Sequence, residues 1–148
     1  MKKTGRIISI LLGVGMVFFL LIQLIPYGRN HTNPPVTGEP AWDTPRTREL
    51  AKRACFDCHS NETVYPWYSN VAPVSWLVWR DIEEGRGYLN FSEWETGSKR
   101  AQRANLQAED EITSGRMPPP IYLLQHPEAR LTDVEKQELI NGFGESLK

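Results

Sequence analysis

Cysteine is nearly missing from this chain. Among 148 residues only Cys55 and Cys58 carry a thiol, so at most one disulfide can form. Histidine is almost as sparse: His31, His59 and His126 are the full set. A structural zinc site takes about four ligands, usually as two cysteine or histidine pairs. Here there is one pair, and adjacent Cys58 and His59 fit a single small tetrahedron poorly. An excess of charge is lacking too. The formal net charge of −1 gives no electrostatic footprint for nucleic acid. No apolar–polar alternation long enough for a strand occurs, and no internal repeat. These absences leave one modest, all-α domain with a real core.

What is present begins with an apolar run. Lys2, Lys3 and Arg6 precede Ile7 to Ile25, a stretch without any charge. At about 1.5 Å per residue it spans roughly 28 Å, one hydrocarbon core. Basic residues before the run and few just after it place the N-terminus inside and the rest outside. A cleaved signal peptide is the rival reading, but the run is long for one, and "QLIPYGRNH" offers no small-x-small cleavage site. Residues 1–26 therefore read as an uncleaved, single-pass membrane anchor in a cell inner membrane, with the domain facing the periplasm or extracytoplasmic side. Three of the 17 basic residues lie before the run, so the remainder carries 14 against all 18 acidic residues. Charge alone will not hold it to an anionic membrane.

Residues 27–43, "YGRNHTNPPVTGEPAWD", are rich in proline and without helical period. They read as a semi-rigid linker, unless Trp42 packs part of the segment onto the domain. Residues 44–148 read as the domain. Thr44-Pro45 is a helix start, N-cap then first helical residue, and Leu50, Ala51 and Ala54 form one face. A second helix is expected from about Pro73, in "PVSWLVWRDIEE", ending at Gly85 and Gly87. Ser98 caps a third, striped by Ala101, Ala104, Ala108 and Ile112 and closed by Gly115. Thr132 with Glu135 makes a capping box for the last, which aligns Leu139 or Ile140 with Phe143 and Leu147.

The chemistry sits in "ACFDCHSNETVYPWYS", Ala54 to Ser69. A thioredoxin-like dithiol needs a βαβ setting that is not apparent. A disulfide closing so short a loop constrains the unfolded chain little and leaves His59 unexplained. Cys-x-x-Cys-His is the attachment pattern of haem c. Two thiols about one helical turn apart reach both vinyl groups of one porphyrin, and the next residue turns its imidazole to the iron. The expected cofactor is thus one covalently held haem c on Cys55, Cys58 and His59. For the sixth iron position the best candidate is Met117 in "EITSGRMPPP", where Gly115 turns the chain and Pro118, Pro119 and Pro120 stiffen it. His126 and His31 are the alternatives. So is an open site, or a Met117 that merely fills an apolar gap.

The stretches "CHSNETVYPWYSNVAPVSW" and "GRMPPP" resemble the bacterial haem-binding domain family related to monohaem c-type cytochromes, over about Trp42 to Leu147. The resemblance implies a small cytochrome c-like helical fold whose first and last helices pack together near the haem. It also implies haem binding by Cys55, Cys58 and His59, and Met117 as distal ligand. Trp67 and Tyr68 are candidates to touch the porphyrin, although core packing is the plainer role for each. Arg80, Arg86 and Arg116 are candidate propionate partners, with a solvated surface as the default. Asp57 is expected to be exposed.

The expected function is single-electron transfer by a membrane-anchored carrier, not an enzyme, working with an unidentified redox partner protein and without nucleic acid. Methionine ligation raises the potential relative to two histidines. The alternative is a haem-based sensor or ligand-binding module with a displaceable Met117. A peroxidase is disfavoured, because no histidine sits convincingly near Met117.

Overall fold

The computed structural model describes residues 2–95 and 97–147; Met1, Thr96 and Lys148 lie outside them. Among the described residues there are six α-helices: α1 (Lys2–Ile22), α2 (Pro45–Ala54), α3 (Phe56–His59), α4 (Val74–Tyr88), α5 (Lys99–Thr113) and α6 (Asp133–Ser146). Short 3₁₀ turns occur at Trp67–Asn70, Tyr122–Leu124 and Pro127–Ala129. Among the described residues there is no strand, only one isolated bridge between Gly38 and Glu93. The helical expectation is met.

The chain divides into two compact units, Met1–His31 with Tyr65–Asp81, and Thr32–Val64 with Ile82–Lys148. In the first, α1 contains Lys3–Ile22, with a mean hydropathy of 2.4. It is one helix long and apolar enough to cross a membrane, and its apolar side chains face outward.

The second unit holds the core. Leu50, Ala51 and Ala54 of α2, Phe56 of α3 and Ile112 of α5 are buried with Leu139 and Phe143 of α6 and with Leu147. Four rings organise it. Trp42 lies 5.3 Å from Phe91 and 6.3 Å from Phe56, and Phe91 lies 5.4 Å from Phe56 and 5.7 Å from Phe143. Offset and tilted ring pairs add to plain area burial. Helices α2 and α6 pack closely where Gly142 faces Thr47; a Cβ on residue 142 would come within 2.9 Å of the Thr47 Cβ.

The caps agree with the sequence reading. The Thr44 hydroxyl accepts from the Thr47 amide, with Pro45 in the first turn. Ser98 accepts from Ala101, and Thr132 and Glu135 form the full capping box. Two local features differ. Helix α4 does not stop at Gly85 and Gly87 but runs through both to Tyr88. Packing outweighs the helix-breaking tendency of glycine there, because Gly85 presses on the Cys58 carbonyl. Residues 32–43 also join the second unit. Trp42 enters its aromatic cluster, Thr37 donates to the Ser92 carbonyl, and Asn61 donates to Pro35. The course through Trp42 is the one taken.

Candidate functional site

Helix α2 ends at Ala54 because Cys55 leaves helical geometry, at φ −129° and ψ −31°. The chain then turns once more as α3. The amides of Cys58 and His59 both donate to the Cys55 carbonyl, at 3.2 and 2.9 Å. That single turn brings Cys55, Cys58 and His59 together. No disulfide joins the two thiols. Burial, with a smaller contribution from Cys58, pushes the Cys55 thiol up to about 12. It is therefore protonated at neutral pH, unlike a redox dithiol poised for attack. Among the described residues no group of three or more His, Cys, Asp or Glu side chains is arranged to hold a metal ion.

His59 is held from behind. Its Nδ1 lies 3.0 Å from the Gly85 carbonyl and 3.1 Å from that of Leu89. Both partners are acceptors, so Nδ1 carries the proton and Nε2 keeps its lone pair. Burial is the main cause that holds the imidazole below its usual pKa; the two carbonyls oppose it. A neutral ring with a fixed tautomer and a free nitrogen is the form that binds a metal. Gly85 allows this approach, since a Cβ there would lie 2.5 Å from the Cys58 carbonyl oxygen. The donor set thus fits haem: two thiols one turn apart, and an oriented imidazole beside them.

The loop after His59 is braced by buried polar contacts. The Phe91 amide donates to the His59 carbonyl at 2.8 Å. Asn61 donates through its amide nitrogen to Ser92 Oγ and through its side chain to Glu93, and accepts from Asn90. Arg86, expected at the surface or on a propionate, instead donates to the Ser60 carbonyl at 2.8 Å and to Asn33 and Thr63. Asp57, expected to be exposed, is half-buried. It accepts from the Val64 amide and, at 2.7 Å, from the Tyr122 hydroxyl. Asparagine and serine here looked like ordinary loop residues, and nothing in their spacing marked Tyr122, Asn90 or Ser92.

Met117 lies on a separate loop. Gly115, at φ 72°, turns the chain out of α5, and the amides of Arg116 and Met117 both donate to the Glu111 carbonyl. Met117 is 37% exposed, so it does not fill a core gap. The loop is fastened to the motif by the Tyr122–Asp57 bond. Desolvation, and after it Asp57 and the nearby Cys58, push the Tyr122 phenol well above its ordinary range.

The alternative ligands are engaged elsewhere. His126 stacks on Tyr122 with ring centroids 4.2 Å apart, and its Nδ1 lies 3.1 Å from Glu128. His31 stacks on Tyr65 at 4.4 Å and lies 3.3 Å from the Ser69 carbonyl. Arg116 pairs with Asp110 and Glu111, whose carboxylates raise its pKa above the usual arginine range. Trp67 is 78% exposed and is not the core aromatic expected of it. A cavity of about 590 Å³ lies beside the site, lined by Leu89, Asn90, Trp94 and the small α5 residues Ala101 and Ala104.

Residues 17–145 match the family model described as a haem-binding domain. No curated protein and no solved structure matches this chain.

Proposed function

Because this chain belongs to the haem-binding domain family, and so binds haem, we propose that it is a membrane-anchored monohaem c-type cytochrome carrying single electrons outside the cytoplasmic membrane. The observation that carries the reading is the fixed tautomer of His59. Two carbonyls accept hydrogen bonds from its Nδ1–H, leaving Nε2 for iron beside two thiols that no disulfide joins.

Each residue has a role. Cys55 and Cys58 would hold the porphyrin covalently through their sulfurs, a linkage that needs no oxidant because a thiol can add across a vinyl group. His59 would bind the iron through Nε2, with the Gly85 and Leu89 carbonyls orienting its ring. Met117 would supply its sulfur to the iron from a loop tied to the motif through Tyr122 and Asp57. When bound, haem supplies the one-electron iron couple. The protein supplies axial ligands and burial, and the methionine sulfur favours the reduced state. With His59 and Met117 both on the iron, no position would be open to substrate, which is the reason for reading a carrier rather than an enzyme. Helix α1, as an anchor, concentrates the carrier near membrane-bound redox partners.

Carbon monoxide added to the reduced protein tests this. The visible spectrum should be unchanged in the wild type and shift in Met117→Ala. A rapid shift in the wild type would instead support the sensor reading, with Met117 displaceable.

A further inference from the structure

The residues between Glu62 and Arg80 contain no charge, and three of the five tryptophans, Trp67, Trp76 and Trp79, fall there. None of the three has a role in the proposed haem ligation. Within the first unit this segment is bonded to the end of α1. The Gln23 side chain donates to the Ala72 carbonyl at 2.9 Å and accepts from the Ala72 amide at 3.0 Å, and Arg29 secures its oxygen. Gly28, at φ 74°, lets the chain after α1 press on the Ser75 carbonyl. Just beyond, His31 stacks on Tyr65.

We propose that segment 65–79 is a second membrane contact, an aromatic foot in the headgroup layer of the bilayer that α1 crosses. The inference rests on the anchor reading of α1. If Lys3 and Arg6 lie at one interface, the run from Ile7 to Gln23 covers about 24 Å at the helical rise, most of a hydrocarbon core. That puts Gln23 at the opposite interface, and the two bonds to Ala72 hold the segment at the same depth. Its surface matches that layer. Trp67 is 78% exposed, Val74 41% and Leu77 42%, alongside Leu24, Ile25 and Tyr27. Tryptophan and tyrosine, apolar bodies with a polar tip, collect at this level. Without charge, the foot binds by apolar burial and is indifferent to anionic lipid.

The test uses the full-length holoprotein in phosphatidylcholine vesicles doped with phosphatidylcholine bearing a diazirine near its acyl carbonyl. After illumination, peptide mass spectrometry should find lipid adducts on α1 and on the peptide containing Trp67 and Leu77. A Trp67→Asp/Leu77→Asp double variant should lose the second set and keep the first. Adducts on α1 with none on residues 65–79 would overturn the foot and leave the anchor standing. No adducts on α1, with protein free of the vesicles, would remove both.

Discussion

His59 and the two glycines of α4 show how single residues decide the site. Gly85 and Gly87 look alike in sequence but differ in surroundings. A Cβ at 85 meets the Cys58 carbonyl at 2.5 Å, whereas nothing lies within 4 Å of one at 87. Gly87→Ala should therefore stabilise the protein modestly, by roughly 0.4–1 kcal/mol at most, as Gly→Ala does at a conformationally compatible position. Gly85→Ala should destabilise it by about 1–3 kcal/mol through overpacking and lower haem loading. Thermal midpoints of the two variants check the pair. Met117→Ala should abolish the weak sulfur-to-iron charge-transfer band in the far-red spectrum of the oxidised protein. A retained band would point to another sulfur-bearing arrangement.

Among the elements, the helix starts were the most legible part of the sequence. Thr44-Pro45, Ser98 and Thr132…Glu135 announced α2, α5 and α6 because capping is local chemistry, complete within four residues. The end of α4 was not legible, since Gly85 is kept by a neighbour 27 positions earlier, Cys58. The same reason hid Arg86, Asn90 and Ser92, whose partners Ser60 and Asn61 are distant in sequence. The motif itself was readable as a whole, because Cys55, Cys58 and His59 complete it in one turn; the carbonyls that orient His59 were not. Thr132→Ala should cost about 1 kcal/mol, as loss of an N-cap does, measured by denaturant unfolding. Glu135 lies beside that cap. The Thr132 amide first, then Arg53, hold its carboxyl down to about 2. A depressed carboxylate contributes stability that is present above the unfolded pKa, about 4.3, and lost as pH falls through the folded value. The gap in thermal midpoint between wild type and Glu135→Gln should thus be open at neutral pH and narrow progressively below about pH 4 toward pH 2.

For the whole molecule, two features belong together: an apolar helix at one end, and an imidazole readied for iron on a short turn in the second unit. The proline-rich stretch at 32–43 shows where composition misleads. Its prolines exclude helix without excluding packing, and Trp42 takes the segment into the core. If α1 is retained as an anchor, the mature protein should stay in the membrane pellet after alkaline carbonate washing, and its mass should include residues before Tyr27. Release into the supernatant with a shortened N-terminus would assign α1 to a cleaved signal instead.

The most direct measurement of the central claim is the intact mass of the purified chain under denaturing, acidic organic conditions. A polypeptide heavier by one haem, with the red colour unextracted, is the predicted result, and Cys55→Ser/Cys58→Ser should remove both. A chain at its bare sequence mass, with all colour in the solvent, would contradict covalent attachment through Cys55 and Cys58.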